Sequence, residues 1–267
     1  MKIINDKGYS ELNFAWIVHI SGNHGKPIPG EFSATEISNP YKAIILTRQH
    51  YDEITVNASD IIYPTIGTAL HESRHNKGVI GYLEKIFGSQ RVLTENHGLP
   101  RLKWADGVSG FTLSGQPDSF DLIKREIGDL KSTTMWNLDK KRDDTFSEWK
   151  TQLGIYRFLM LENNFLDVSK KAVVTVFTRD YLWWKASEKC PSQLFEITID
   201  LEDERVIKNY VKMRLLTLRD IKDKKIPIPD CTEKEKWPND KTGEYTKCLK
   251  YCSARTICDF AKSLKGE

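Results

Sequence analysis

The chain of 267 residues is short of several things, and each shortage excludes a class of protein. It contains no apolar run long enough to span a bilayer, and residues 1–22 carry no compact apolar core of the kind a secretory signal requires. It has no low-complexity tract. Charge of neither sign dominates: 40 Lys and Arg face 37 Asp and Glu, a formal balance of +3, too small for a general polyanion binder. Any recognition of a polyanion would need a local basic groove, which net charge does not reveal. No cysteine precedes Cys190, and the five present are an odd number crowded into the C-terminal third, which excludes a secreted disulfide framework. What remains, 39% hydrophobic and 29% charged residues, is enough for one substantial core, or one core with a small appendage.

The most informative stretch runs from Gly115 to Ser132, GQPDSFDLIKREIGDLKS. It predicts a β-hairpin, with strands over 119–123 and 126–132 and a turn at Lys124-Arg125. Asp129 and Lys131 are two residues apart on the second strand, so they leave the same face of the sheet. Asp118 follows the Gly115-Gln-Pro bend at the head of the first strand, within reach of Asp129 across the hairpin. Two apposed carboxylates repel unless a cation stands between them, and hard oxygen donors suit Mg²⁺ or Mn²⁺. These residues therefore point to a metal-dependent phosphodiesterase centre.

Around the hairpin, residues 21–30 form a loop rich in Gly, Pro, Asn and His. Ser33-Ala-Thr-Glu36 offers a capping box before a helix over 37–50, broken by Asn39-Pro40. Tyr63-Pro64-Thr65 opens a helix through Phe87 that carries His71. That histidine is either a polar residue at the edge of a buried face or the nitrogen ligand of a mostly oxygen metal site. Strands are expected over 91–95, 111–114, 172–178 and 194–201, and a polar, charged connection over 136–144. The clearest amphipathic helix spans 144–163, with Gln152 and Tyr156 one turn apart. This pair is either surface and core or part of the site. Tyr181-Leu-Trp-Trp-Lys185 is either a stacking surface for bases or a sheet edge with buried tryptophans. A long helix over 202–225 ends at Ile226-Pro-Ile-Pro-Asp230, which marks the one boundary.

Four separated features then stand in one order: Gly67-Thr-Ala-Leu-His71, Gly115-Gln-Pro-Asp118, Asp129-Leu-Lys131 and Gln152-x-x-x-Tyr156. Together they resemble the RecB-like branch of the PD-(D/E)XK nuclease superfamily, which includes recombination exonucleases, CRISPR-adaptation nucleases and many phage nucleases. The resemblance covers residues 33–201. It implies an α/β fold with a restriction-endonuclease-like core, a central mixed β-sheet flanked by helices. The nuclease domain would occupy 1–225, with an N-terminal helical region, and a cysteine-containing segment 226–267. By the same resemblance Asp118, Asp129, His71 and the carbonyl of Leu130 would be metal ligands. Lys131 would position or activate the attacking water and stabilise charge, and Gln152 and Tyr156 would brace the site against the DNA strand. Glu95 and Glu72 are further acidic candidates. The implied activity is divalent-metal-dependent hydrolysis of DNA phosphodiester bonds, of exonuclease type, in recombination, repair or phage DNA replication. Mg²⁺ or Mn²⁺ would be the metal, and the setting cytoplasmic, or a host cytoplasm for a viral protein, with no membrane partner. No helicase motif is present, so unwinding would come from a helicase or recombination partner. Two other readings stand beside it: a non-cleaving DNA-binding or assembly subunit that keeps the fold, and a plain α/β domain.

Cys231, Cys248, Cys252 and Cys258 offer four soft ligands, suited to zinc or an iron–sulfur cluster. Several RecB-like relatives carry a [4Fe–4S] cluster on three C-terminal cysteines and one that precedes the nuclease core. This chain has no cysteine in that early position, so Cys231 or Cys190 would substitute, and it also lacks the C-x-x-C pair of zinc ribbons. A [4Fe–4S] cluster, Zn²⁺ or no metal all remain open.

Overall fold

The computed structural model describes residues 1–21, 26–74, 76–88, 91–95, 97–140, 142–239 and 242–266. Part of the loop expected over 21–30 and one residue of the connection over 136–144 lie outside them. In chain order the elements are β1 (Lys2–Ile4), α1 (Glu11–Ser21), β2 (Glu31–Ser33), α2 (Tyr41–Gln49), β3 (Thr55–Asn57), α3 (Ala58–Arg74) and α4 (Lys77–Phe87). There follow β4 (Val92–Thr94), β5 (Leu102–Asp106), β6 (Phe111–Gly115), β7 (Ser119–Asp121), β8 (Glu126–Thr133), α5 (Met135–Lys140) and α6 (Arg142–Glu162). The chain closes with β9 (Lys171–Thr178), β10 (Leu194–Asp200), α7 (Glu204–Lys222), α8 (Glu233–Lys236) and α9 (Asp259–Ser263). Two compact units result: Gly30–Ser38 with Ala69–Leu215, and Met1–Pro29 with Asn39–Thr68 and Leu216–Glu267. Among the described residues no helix is long and apolar enough to cross a membrane.

The first of these units is mixed α/β, with a central mixed sheet flanked by helices. Its five strands lie in the order β10-β9-β8-β7-β4; β8 and β9 are parallel and the other neighbours antiparallel. A smaller sheet, β2-β6-β5, belongs to the same unit. Ile127 on β8 and Ala172, Val174 and Val176 on β9 are fully buried, because alternate residues of a strand share one face. Helix α6 packs against β5, β6 and β10. Residues 153–160 are buried on every side, so α6 is a central helix and its amphipathic stripe covers only the first turns. Arg157 survives there because its Nε donates to the carbonyls of Val168 and Ser169, at 3.1 and 3.0 Å. An added Cβ at Gly154 would come within 2.8 Å of Ile207, so this glycine sets how closely α6 and α7 approach.

Four expectations need correction. The helix expected over 63–87 is two helices: Asn76 caps α4, its Oδ1 accepting the Gly78 amide at 2.8 Å. Pro64 does not open α3 but lies inside it. The capping box at Ser33 exists, with Ser33 Oγ and Glu36 Oε2 bonding each other's amides, yet it starts a 3₁₀ turn at Glu36–Ser38, and α2 begins only after Pro40. The charged connection at 136–144 is α5 and the start of α6.

The second unit pairs β1 with β3 in parallel and packs Ile17, Ile20, Ile44, Ile54 and Val56. Its C-terminal segment is tied to its earlier segments at three points. Lys42 meets Asp230 at 2.6 Å, Thr47 Oγ1 meets Ser253 Oγ at 2.8 Å, and Arg255 donates to Asp60 at 2.7 Å.

Candidate active site

The β7–β8 hairpin forms, but β7 ends at Asp121 and the loop is the four residues 122–125 rather than the two expected, so that Ser119 stands opposite Gly128. That register sets Asp118, the residue before β7, beside the middle of β8. Its Oδ2 accepts the backbone amide of Leu130 at 2.8 Å, and its Oδ1 meets Nε2 of His71 at 2.8 Å. The C-terminal turn of α3 thereby reaches the hairpin. Nδ1 of His71 lies 3.7 Å from Oε2 of Glu95. Glu95 itself is held near Asp118 by its amide, which donates to the Asp118 carbonyl at 3.3 Å.

Asp129 and Lys131 share the face of β8 opposite to that of Leu130, and their side chains meet at 2.8 Å. Asp129 is 1% exposed. Although Lys131 lies within ion-pair distance, the Oδ2 of Asp129 is buried with no well-directed hydrogen bond. The ammonium neutralises this oxygen at close range without a well-directed hydrogen bond between them. Lys131 directs its hydrogen bond to Gln152 Oε1 at 2.9 Å. The Gln152 amide in turn donates to Tyr156 Oη at 2.9 Å and to Thr35 Oγ1 at 3.2 Å. One chain of contacts therefore links β8, α6 and the segment after β2.

The electrostatics follow from burial opposed by pairing. Burial pushes the Asp129 carboxyl up to about 6, and the Lys131 ammonium only partly offsets this. Burial acts on Asp118 in the same sense, but His71 and the Leu130 amide prevail and hold its carboxyl below the usual range. Burial would lower His71, yet Asp118 and Glu95 raise it, and Lys131 is likewise raised by Asp129 against its own burial. The Tyr156 hydroxyl is pushed up by burial.

The structure brings His71, Asp118, Asp129, Lys131, Gln152 and Tyr156 together, and Leu130 enters through its amide. Glu95 joins the acidic set through His71. Sequence reasoning missed Thr35 and Gln116. The Gln116 amide donates to the carbonyls of Glu95 and Leu99, at 3.1 and 2.6 Å, and so anchors the loop that carries Glu95. Its place between Gly115 and Pro117 was the only signal. Among the described residues no three His, Cys, Asp or Glu side chains stand at metal-holding spacing, the distal cysteines included. The donor set still fits a divalent cation: two buried carboxylates, one with an orphaned oxygen, and an imidazole.

The four distal cysteines form a second cluster. Cys231, Cys248, Cys252 and Cys258 line one cavity of about 140 Å³ together with Lys42, Lys236 and Phe260. All are free thiols, and burial pushes Cys231 up to about 11. Cys190 is elsewhere, fully buried below the β9–β10 connection in the sheet unit.

No protein-family model and no curated sequence matches the chain. Among solved structures, SSO0001 superposes with a TM-score of 0.56 at 16% identity, over 94% of this chain and 97% of that one. The alkaline exonuclease LHK-Exo from Laribacter hongkongensis gives 0.43 at 12% identity, over 79% and 97%. A phage related exonuclease from Haemophilus somnus gives 0.38 at 13%, over 61% and 71%. The likeness to SSO0001 is one of fold.

Proposed function

We propose that the chain is a divalent-metal-dependent deoxyribonuclease of the RecB-like PD-(D/E)XK branch, an exonuclease serving recombination, repair or phage DNA replication. The observation that carries this reading is the buried, unaimed Oδ2 of Asp129 between Asp118 and Lys131. Burying a carboxylate against one ammonium, with no well-directed hydrogen bond to this oxygen, costs stability, and a site that tolerates the cost has a use for the oxygen. Asp118, Asp129 and His71 would hold Mg²⁺ or Mn²⁺, with Glu95 at the rim. The N–H and C=O of one strand residue leave by the same edge, so the Leu130 carbonyl lies on the side of its Asp118-bonded amide and can join them. A cation bound there neutralises charge on the scissile phosphate and lowers the pKa of its water.

The remaining roles belong to the chain itself. Lys131 keeps its proton and presents positive charge where negative charge builds on the phosphoryl oxygens. Gln152 fixes the direction of the Lys131 ammonium. Tyr156, buried behind Gln152, fixes Gln152. Unwinding of a duplex falls to a helicase or recombination partner. Cys231, Cys248, Cys252 and Cys258, which line one cavity, would hold an iron–sulfur cluster or Zn²⁺, whose binding would have to displace the thiol protons that burial retains.

The test is degradation of end-labelled linear and closed circular DNA in Mg²⁺, Mn²⁺ or EDTA. Metal-dependent loss of the linear substrate alone is expected, abolished by Asp118→Ala or Asp129→Ala. If DNA is bound but left intact under every condition, the chain is a non-cleaving subunit.

A further inference from the structure

We infer that Trp136, Trp183 and Trp184 form a stacking platform for the unpaired bases of single-stranded DNA, at the end of the strand that carries the proposed cleavage centre. The inference takes its ligand from the nuclease reading but stands on separate residues. Trp183 and Trp184 are 73% and 63% exposed, and Trp136 is 55% exposed. The alternative left open by the sequence, tryptophans buried at a sheet edge, is thus excluded. Trp183 and Trp184 meet edge to face, ring centres 5.7 Å apart, so their planes are nearly perpendicular and the edge of one ring takes up only one face of the other.

The third tryptophan belongs to the same place. Trp136 is on α5, and the β9–β10 connection is fastened along α5 at both ends. The Met135 amide donates to Asp180 at 2.7 Å, and Lys189 Nζ donates to the Asp139 carbonyl at 3.3 Å. Arg179 N also donates to the Thr133 carbonyl at 3.0 Å, which extends the β8–β9 pairing to the foot of the connection. β8 passes directly from Lys131 through Thr133 into α5. At about 3.3 Å of rise per strand residue, β8 ends about 7 Å beyond the lysine, and Trp136 follows three residues later in the first turn of α5.

The connection is also built without its tryptophans. Cys190 fills the buried position beneath it, Ser187 and Cys190 exchange backbone hydrogen bonds of 3.1 and 3.0 Å, and the Tyr181 hydroxyl donates to the Pro191 carbonyl at 3.2 Å. Two large rings held outward on a segment closed by other contacts are pre-ordered for a ligand, which lowers the entropy cost of binding. Lys185, exposed within the same 3₁₀ turn, supplies the cation for a phosphate. Planar apolar faces with an interleaved cation match a single strand, whose bases are free to stack; a paired duplex offers no such faces.

The experiment is a fluorescence-anisotropy titration in EDTA, with a short labelled oligothymidylate and a blunt duplex as separate probes. The wild type is expected to prefer the single strand. Trp183→Ala and Trp184→Ala should each weaken that binding about tenfold, while Phe replacements retain most of it and Leu replacements do not. Unchanged thermal melting of the variants shows that the fold is kept. The inference is overturned if the Trp183→Leu/Trp184→Leu double variant binds the single strand as the wild type does, or if blunt duplex binds as tightly. A protein that binds through the tryptophans yet cuts nothing in Mg²⁺ would leave this inference standing and overturn the nuclease reading; cutting with no tryptophan dependence would do the reverse.

Discussion

Lys131 donates to Gln152 Oε1 at 2.9 Å, a bond that ties the central strand β8 to the buried helix α6. The Gln152 amide is committed to Tyr156 and Thr35, so its oxygen has to face the lysine. The ammonium is thereby held by Gln152 while it stays paired with Asp129 at 2.8 Å.

Lys131→Ala is expected to lower DNA turnover by roughly a hundred- to a thousandfold, the scale of losing one preorganised electrostatic donor. Gln152→Ala should cost less, about tenfold, because the lysine is retained but no longer aimed. Calorimetric Mg²⁺ titration separates these roles. Both variants should keep most of the metal affinity, whereas Asp129→Ala should lose it. Near-normal turnover by Lys131→Ala would remove this lysine from the reaction.

The Asp129 carboxyl gives a pH signature. Raised to about 6, it holds its proton in the folded state at a pH where the unfolded chain has lost it. Stability gained in this way is complete below about pH 4 and is lost as pH rises towards 6. Asp129→Asn has no such loss. In EDTA, the melting temperature of Asp129→Asn relative to wild type should therefore climb between about pH 4 and 6 and level off above. A difference that stays flat over that range would mean the carboxyl is not raised. Mg²⁺ affinity of the wild type should fall below about pH 6, where the proton competes.

Gly115 closes β6 at a point where an added Cβ would lie 2.9 Å from Leu159, 3.0 Å from Tyr156 and 3.1 Å from Ala34. Three crowded sides leave no direction of relief. Gly115→Ala should cost about 1–3 kcal/mol, a drop of several degrees in melting temperature. Because the displaced ring belongs to Tyr156, turnover should fall further than the stability loss explains, with metal affinity retained. Full stability would show that the approach is looser than described.

Cys252→Ser should remove bound iron or zinc and destabilise the unit that holds residues 216–267, whereas Cys190→Ser should leave the metal content unchanged. Elemental analysis and a visible spectrum of protein purified without oxygen decide between a cluster and zinc. Absence of both metals from the wild type would leave four reduced thiols and no cofactor.

The hairpin was legible because a period of two sets Asp129 and Lys131 on one face of β8, but its register was not: a two-residue turn at Lys124-Arg125 would set Asp118 opposite Lys131, and the four-residue loop over 122–125 sets it beside Asp129 instead. The helix ends were not legible either. Pro64 resembles a first helical residue, but α3 had already begun at Ala58. The apolar stripe from Ile66 to Phe87 hid the break at Asn76 because both helices keep the same period. Strands β1, β2 and β3 have three residues each, and no alternation or turn signal beside them marked them out. Gln152 and Tyr156 were legible as a pair, but Thr35 was not. Its role arises from the path of the chain after β2, and no local pattern records that.

The unit that holds the cysteine cavity is assembled from three stretches of chain, and the hydrogen bond between Thr47 and Ser253 closes a very long loop. The sheet unit has all its residues by Leu215, before Cys231 has been added. On a ribosome adding about 5–20 residues per second, some seconds separate completion of the sheet's sequence from the arrival of Cys258. Capture of the metal proposed for these cysteines would then follow synthesis of the whole sheet unit, and cells starved of it should accumulate chains whose sheet resists protease while the C-terminal segment is clipped.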